Sequence, residues 1–342
     1  MLFFRSAVIF AVLFITGPVF ASPSTNRIVL TREQPSAQLL PLKESHLLEL
    51  EEFPLEPAPI PEPAQQLQIN LGASLRWEAT HGLLKYEQPT QVRWFPLDAT
   101  GIQQITVTRQ LPDATEETRG VRLILPVEFN PAGDGSLSGT MIGIYPVPNQ
   151  KAPAPVARNP QAYAAPTSFY PVNAETGRVP LQGGFTLETL SPAPLPDQQG
   201  TRYVALHPEA IGFLNALEAA LDSDRGTTEG LRILRGYISP HERLRMETLG
   251  IKLAEFTRFQ YGDAFALIWD TNADFRMDDL NKDGKVDVED SAVLAETVKR
   301  VFREQSLQGG IGLCARFEGP DHLGTPYLHV DLRGWMVEWR EE

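Results

Sequence analysis

The chain has 342 residues, a length that predicts two folded domains with additional extensions. Acidic residues exceed basic residues by 43 to 30, which gives a formal net charge of −13 at pH 7. We therefore expect no binding to nucleic acid or to an anionic membrane surface, because both attract clusters of Lys and Arg. Cys314 is the sole cysteine, so an intramolecular disulfide is excluded.

Residues 1–21 have the layout of a secretory signal peptide. One Arg precedes an apolar run from Ala7, a Gly17-Pro18 break follows, and Ala21 stands before the expected cleavage site at Ser22. An uncleaved anchor is the alternative, but the apolar run is short for a span of about 20 residues. The sequence thus predicts a secreted, periplasmic or cell-envelope protein, with no membrane span after signal cleavage.

The next three segments differ in composition. Residues 22–65 are rich in proline and acidic residues, which is typical of a flexible tether. Residues 66–150 contain short runs of alternating apolar and polar residues between turn residues, and this spacing predicts a β-sandwich domain. Residues 151–204 are again rich in proline, but their aromatic residues indicate an ordered strap over the following domain.

Residues 205–342 are predicted to form an α+β domain. Pro208 suits the first turn of a helix whose apolar residues recur on one side, from Ile211 to Leu221. The segment from Ser239 to Glu242 has the spacing of a capping box, which indicates the start of a second helix. Apolar runs at 264–269, 309–317 and 326–332 supply strands. The expected fold is therefore an α+β C-terminal domain preceded by a β-sandwich domain.

Three motifs in this last domain resemble one known family. They are TRFQYGDAFA at 257–266, RGYISP at 235–240 and YLHVDLRG at 327–334. Over roughly residues 206–335 the chain resembles the D-alanyl-D-alanine carboxypeptidase-like zinc peptidases of the hedgehog/DD-peptidase superfamily. The family pattern is Ser/Thr-x-His-x-x-Gly-x-Ala-x-Asp, and Thr257, Gly262 and Ala264 keep its frame. The resemblance implies a DD-peptidase-like fold and a zinc site that cleaves peptidoglycan peptides.

Two of the three implied zinc-ligand positions carry side chains that cannot bind zinc. Phe259 stands at the His position and Ala266 at the Asp position, whereas His329 matches the third ligand. A hydrolytic zinc site needs about three nitrogen, oxygen or sulfur ligands from the protein, plus an activated water. A phenyl ring and a methyl group donate no lone pair, so we expect both to pack in the core. Zinc binding and catalytic residues are not expected.

The remaining cleft is predicted to be degenerate and able to hold a peptide without cutting it. Its expected residues are Phe259, Ala266, His329, Asp331 and Arg258. In addition, Ile238 replaces a family arginine, and Pro326 stands where many relatives carry an acidic general base. A rearranged zinc site would need other partners for His329, and the candidates are Asp263, Asp331, His322 and His241.

DLNKDGKVDVED at residues 279–290 has the spacing of a 12-residue calcium loop. Calcium takes about six to eight oxygen ligands, supplied from loop positions 1, 3, 5, 7, 9 and 12, with Gly at position 6. The predicted ligands are Asp279, Asn281, Asp283, the carbonyl group of Lys285, Asp287 and Asp290. Position 12 is Asp rather than Glu, as in dockerin-type loops, which predicts modest affinity.

A weaker second calcium site is predicted just upstream, at Asp270, Asn272, Asp274 and Asp278. Phe275 stands where the turn favours Gly, and a bulky residue with positive φ is costly. The two loops would also overlap at Asn281. Both belong to a predicted insertion at 270–306, and acidic insertions of the resembled family lie at a similar place.

Three functions are compatible with these features. The preferred one is a secreted calcium-binding, catalytically inactive DD-peptidase-like protein that binds peptidoglycan or a cell-wall protein. The first alternative is an active zinc endopeptidase of peptidoglycan with rearranged ligands. The second is a dockerin-like interaction module that uses the calcium helix as its partner surface.

Overall fold

The computed structural model describes residues 27–30, 36–41, 45–50, 75–88, 90–110, 115–149, 152–191, 200–225, 230–318 and 324–341. The predicted signal peptide and residues 51–65 of the predicted tether lie outside these ranges. The described chain is a mixed α and β protein with more strands than helices. None of the helices in these ranges is long and apolar enough to cross a membrane.

Two four-stranded sheets form the N-terminal part of the described chain. In chain order the strands are β1 (Arg27–Leu30), β2 (Ala37–Leu39), β3 (His46–Leu50), β4 (Leu75–Ala79), β5 (Leu83–Gln88), β6 (Gln91–Phe95), β7 (Gly101–Gln110) and β8 (Glu116–Leu125). The strand orders are β1-β3-β6-β5 and β2-β8-β7-β4. Alternate side chains from both sheets meet in one hydrophobic cluster, which includes Leu48, Trp94, Ile105 and Leu123.

The first three strands correct the prediction of a tether at residues 22–65. β1 pairs in parallel with β3, and β3 pairs antiparallel with β6, so residues 27–30 and 46–50 belong to a sheet. Leu48 and Leu50 are buried in the cluster between the sheets. Prolines flank these short strands without interrupting them, and Glu49 lies within β3, so composition alone favoured an extended segment. The sheets therefore begin well before residue 66.

A connecting segment with little regular structure follows β8. It contains β9 (Val127–Glu128), β10 (Ser136–Leu137), β11 (Thr140–Met141), α1 (Ala154–Arg158), a 3-10 helix at Pro160–Tyr163, β12 (Ser168–Val172) and β13 (Arg202–Val204). Its apolar residues share one core with the C-terminal region. The Phe169 and Tyr237 ring centroids are 5.8 Å apart, and the Tyr237 amide donates to the Leu190 carbonyl at 3.0 Å. The described part of residues 151–204 is therefore built into the core.

The C-terminal region consists of a five-stranded sheet with helices. Its elements are α2 (Ala210–Arg225), β14 (Leu231–Arg235), α3 (Pro240–Thr248), a 3-10 helix at Arg258–Tyr261, β15 (Ala264–Trp269), α4 (Val288–Glu304), β16 (Gly310–Cys314), β17 (Tyr327–Asp331) and β18 (Val337–Glu341). The strand order is β14-β15-β17-β16-β18. Leu214 and Leu217 of α2 and Val298 and Phe302 of α4 are buried with Leu267 of the sheet. The apolar stripes of both helices thus cover one face of this sheet.

Candidate functional site

The pairing of β15 with β17 brings the candidate cleft positions together. Ala266 lies opposite His329 in this antiparallel pair, and Ala264 lies opposite Asp331. Phe259 comes from the 3-10 helix that leads into β15, and its ring centroid lies 5.0 Å from that of His329. The side chains at the three positions that the resemblance assigns to zinc ligands therefore meet at one point on the sheet, although their sequence numbers span 70 positions.

This point is filled with apolar side chains. Phe259 and Ala266 are buried, as their apolar character predicts, and belong to a small cluster with Ile238, Met246, Ala264 and Phe317. The His329 ring also lies 5.0 Å from the Trp339 ring, at an interplanar angle of 57°. Hydrocarbon and aromatic groups thus surround His329 where a metal centre would have ligands and water.

Asp331 is the polar partner of His329. The Asp331 Oδ2 atom lies 3.1 Å from His329 Nε2, and Asp331 Oδ1 accepts from Arg333 Nε at 2.6 Å and from the Gly310 amide at 3.1 Å. Burial alone would raise the pKa of the Asp331 carboxyl. The hydrogen bonds from Arg333 and His329 outweigh that effect and hold the pKa below its usual value. Asp331 is therefore a buried, charged anchor for both His329 and Arg333.

Arg258 does not join this group, in contrast to the sequence-based prediction of the cleft. Its guanidinium forms a buried ion pair with Asp263 and donates to the Ala162 carbonyl at 2.6 Å. It also lies over the rings of Tyr163 and Tyr261, at 4.8 and 5.0 Å from their centroids. Burial raises the pKa of Asp263 in spite of the neighbouring Arg258. Because Arg258 directly precedes Phe259 in the 3-10 helix, the two side chains diverge.

The other proposed partners of His329 are not assembled around it. Asp263 is paired with Arg258, and His241 is held at the start of α3, where its amide donates to the Ile142 carbonyl at 2.9 Å. His322 lies outside the described residues. In the part of the chain that the structure describes, no group of three or more His, Cys, Asp and Glu side chains is arranged to hold a metal ion.

Three side chains of this region were not singled out from the sequence. Arg235, at the end of β14, lies over the rings of Phe317 and Phe259, and burial lowers the pKa of its guanidinium. Arg333 holds Asp331, and Trp339 of β18 covers His329. The His-x-Asp-x-Arg spacing, which runs from β17 into the residues just after it, was a readable signal for Arg333. Trp339 required knowledge that β18 pairs in parallel with β16.

The predicted calcium loop at 279–290 has a defined backbone. The Asp279 carboxylate accepts from the amides of Asp283 and Gly284, at 3.2 and 2.8 Å, and the Asp283 carboxylate accepts from the Lys285 amide at 2.9 Å. Gly284 has a φ of 85°, a left-handed conformation that glycine adopts without strain. The side chains of Asp279, Asn281 and Asp283 thus organise the first half of the loop.

The upstream segment repeats this backbone. The Asp270 carboxylate accepts from the amides of Asp274 and Phe275, at 3.2 and 2.8 Å, in the pattern seen for Asp279. Phe275 has a φ of 60°, so a residue judged unfavourable from the sequence does take the glycine-like conformation. The two segments are consecutive units of the nine-residue pattern D-x-N-x-D-x-x-x-D, which start at Asp270 and Asp279. The repeat can be read from the sequence. It was missed because two 12-residue loops that start at these positions would overlap at Asn281.

Asp290, the expected last ligand of the loop, binds backbone amides. It is fully buried and accepts from the amides of Leu280, Asn281 and Asp287, at 2.6, 3.2 and 2.9 Å. Together with Asp287 it forms a capping box at the start of α4. The oxygen-rich residue types fit calcium chemistry, but within the described residues no three of these carboxylates are grouped closely enough to hold an ion. The Asp290 Oδ1 atom accepts from the Leu280 and Asn281 amides, whereas Oδ2 accepts from the Asp287 amide alone and retains a lone pair for an ion.

Comparison of the chain with family models, curated proteins and solved structures gives no match.

Proposed function

We propose that this chain is a secreted, calcium-binding, DD-peptidase-like protein that has lost catalysis and acts by binding peptidoglycan or a cell-wall protein. We further propose that its two N-terminal sheets form a β-sandwich domain and that its C-terminal region has the DD-peptidase-like fold. The observation that carries the proposal is the convergence of Phe259, Ala266 and His329. Motif spacing in the sequence did not require these three positions to meet.

The convergence has the geometry that a metal centre requires. Side chains opposite each other in an antiparallel pair have Cβ atoms about 5 Å apart, so an Asp at 266 and the native His329 would reach a common ion. A His at 259 would approach the same point, since the present ring lies against His329. The native residues retain this layout, but two of the three lack a donor atom.

The alternative of an active zinc peptidase receives less support. The place of the ion is occupied by buried apolar side chains, and His329 Nε2 is engaged by Asp331. Metal ligands also need partners that orient them, and those partners would have to be rebuilt around new positions. Arg258 and Asp263, which could have contributed, are engaged with each other.

The alternative of a dockerin-like module also receives less support. In that reading the helix after the calcium loop offers its apolar face to a partner. The apolar face of α4 is instead covered within the chain, because Leu294, Val298, Val301 and Phe302 are buried in the main core. Exposure of that face would require α4 to leave the sheet.

Calcium in this proposal has a structural role. Of the predicted ligands, Asp287 and Asp290 cap the start of α4, and the Asn281 amide donates to Asp290. The upstream unit is attached to the sheet, since the Trp269 amide of β15 donates to Met277 Sδ at 3.4 Å and Met277 is buried. An ion at either unit would fix the loops relative to the sheet, because binding to the folded state alone stabilises that state.

Co-sedimentation with purified peptidoglycan sacculi tests the proposed function. The partner is inferred from family resemblance, so the test needs a matched insoluble polymer, for which cellulose serves. We expect the protein to sediment with sacculi in millimolar calcium, to stay in solution with cellulose, and to release no soluble muropeptides. If the protein sediments neither with purified sacculi nor with sacculi to which cell-wall proteins have been added, the binding role is contradicted. Release of muropeptides that a chelator abolishes would favour the active peptidase.

A further inference from the structure

β18 is an edge strand with little buried surface. Among the described strands it pairs with β16 alone, in parallel, and so forms one edge of the five-stranded sheet. None of its five residues is buried, whereas each of the other four strands of this sheet has at least two buried residues. Segments with few buried contacts open at a low free-energy cost while the rest of a protein stays folded. We therefore expect β18 to open more readily than its neighbours.

β18 covers two buried side chains. In the register of the sheet, Gly312 of β16 lies between Trp339 and His329. Because Gly312 has no side chain, the Trp339 indole lies where a Cβ would be only 2.3 Å from it, and the Trp339 and His329 ring centroids are 5.0 Å apart. Glu341 lies opposite Cys314 in the same pair of strands. The exposed fractions of His329 and Cys314 are 8% and 2%, so displacement of β18 would uncover both side chains.

Two ion pairs hold the other face of β18 against α4. Glu338 and Arg340 alternate with Trp339 along the strand and therefore point to the opposite face of the sheet. Lys299 Nζ lies 2.9 Å from Glu338 Oε2, and Arg340 Nη2 lies 2.6 Å from Glu289 Oε1. All four side chains are partly exposed, and ion pairs of this kind contribute little and are screened by salt. The position of β18 is thus held by weak, reversible contacts.

The link between β17 and β18 contains a glycine that can serve as a hinge. Gly334 is exposed, has a φ of 88° and has no atom within 4 Å of the place that a Cβ would occupy. Its amide donates to the Gln308 carbonyl at 3.1 Å, and the Leu332 amide donates to the Asp263 carbonyl at 2.9 Å. These bonds fix the chain on the β17 side of the glycine. Because glycine adopts a wide range of backbone conformations, rotation after Gly334 would move β18 without moving β17.

We propose that β18 is a lid that opens about Gly334 and uncovers His329 and Cys314 while the rest of the protein stays folded. The closed lid blocks access to the side chains around His329, and the open lid frees both these side chains and the edge of β16. As a control on ligand access, the lid rests on the proposed function. Its opening is measured without any ligand, so the lid and the binding of peptidoglycan can fail separately.

Cys314 is a natural probe of this opening, because it is the sole cysteine of the chain. Burial raises the pKa of its thiol to about 12, so the thiol reacts slowly while the lid is closed. An uncovered thiol returns towards the usual pKa of about 8.5 and reacts readily. The test is the rate at which 5,5′-dithiobis(2-nitrobenzoate) labels the folded protein at pH 8. We expect labelling at least tenfold faster than global unfolding, which near-UV circular dichroism measures in the same buffer.

Variants on both faces of β18 connect the labelling to the lid. Lys299→Gln/Arg340→Gln removes both ion pairs with α4 and should speed labelling at least threefold, whereas Lys299→Arg/Arg340→Lys keeps both charges and should label at the native rate. Trp339→Ala removes the indole over Gly312 and should speed labelling at least tenfold. Arg178→Ala is the control, since it breaks an exposed ion pair with Glu188 that does not involve β18.

Two outcomes would overturn the lid. They are labelling of native Cys314 no faster than global unfolding, and equal labelling rates in the Lys299→Gln/Arg340→Gln and Lys299→Arg/Arg340→Lys variants. Fast labelling that depends on the ion pairs, without sedimentation on sacculi, would support the lid and count against the cell-wall function. Sedimentation on sacculi with labelling no faster than unfolding would do the reverse.

Discussion

Asp331 is the residue on which the polar side chains around His329 depend. Its carboxylate accepts from His329, Arg333 and the Gly310 amide and is fully buried. Replacing Asp331 by Asn removes the negative charge, keeps the shape of the side chain and leaves Arg333 without its counter-ion. Breaking such a buried ion pair costs about 3 kcal/mol or more. At the scale of single residues, this interaction gives a pH-dependent prediction.

Asp331→Asn should lower the free energy of unfolding by about 3 kcal/mol at pH 7. The folded state lowers the pKa of Asp331, so its stabilising contribution is complete above the unfolded pKa of about 3.9. That contribution declines as the pH falls below about 4 towards the folded pKa, and the difference between variant and native protein should then shrink. Urea unfolding at pH 7, 5 and 3 measures this, with Asp222→Asn on the exposed side of α2 as control. If Asp331→Asn lowers the free energy of unfolding equally at all three pH values, the assignment of Asp331 as a charged buried group is contradicted.

The sequence predicted the apolar side chains beside His329 but only part of their surroundings. Phe259 and Ala266 could be recognised as unable to bind zinc because coordination depends on residue type alone. Arg258 was placed wrongly because a 3-10 helix turns adjacent side chains in different directions. Trp339 and Arg235 reach the cleft through strand pairing that connects distant parts of the chain, and no local pattern records that pairing.

At the scale of elements, the two consecutive acidic units share one backbone but differ in their surroundings. The first unit is attached to the sheet through Met277, whereas the second unit leads into α4 through the capping box of Asp287 and Asp290. Position 6 is Phe275 in the first unit and Gly284 in the second, both with positive φ. Because Asp and Asn stand at the same positions in both units, the same substitution can be made in each unit and its effects on calcium binding compared.

Calcium should raise the melting temperature of the native protein. At a free calcium concentration of about 100 times the Kd, binding stabilises the folded state by about 2.7 kcal/mol. Asp283→Ala removes the oxygen at position 5 of the second unit and should abolish most of this increase. Asp274→Ala makes the same change in the first unit and should reduce the increase by less. Differential scanning fluorimetry with calcium, magnesium and chelator measures these effects. An unchanged calcium response in Asp283→Ala would exclude the second unit as the main site.

Element prediction succeeded where local signals agreed with the tertiary structure. The capping box of α3 and the periodic apolar residues of α2 gave these two helices correctly. β1 to β3 were missed because each is short and lies among prolines, and parallel pairing of β1 with β3 depends on residues far along the chain. β18 was missed because the sequence VEWRE carries three charges and lies at a sheet edge.

At the scale of the whole molecule, the boundary predicted between residues 204 and 205 is not a boundary in the core. Tyr145 and Tyr237 hydroxyls are hydrogen-bonded at 2.8 Å, and burial raises the pKa of both. Tyr163, Phe169, Leu187 and Leu190 lie in the same hydrophobic cluster as α2, α4 and the five-stranded sheet. The connecting segment therefore provides core residues for the C-terminal region.

A fragment of residues 205–342 should fold poorly, because several large apolar side chains of its core lose their partners. A fragment of residues 127–342 retains those partners and should unfold cooperatively. The loss of several buried aromatic contacts, at about 3 kcal/mol or more each, exceeds the stability of a typical domain. Near-UV circular dichroism and thermal unfolding of both fragments measure this. Cooperative unfolding of 205–342 at the temperature of the longer fragment would contradict the shared core.

We propose that Phe259, Ala266 and His329 occupy the three ligand positions of a former zinc site. Zinc binding by Phe259→His/Ala266→Asp, measured by isothermal titration calorimetry and by metal content after dialysis, tests it most directly. We expect one zinc ion per double variant, with a higher melting temperature in zinc, none in the native protein, and loss of binding when His329→Phe is added. A folded double variant that binds no zinc, or native protein that holds one zinc through His329, would contradict the claim.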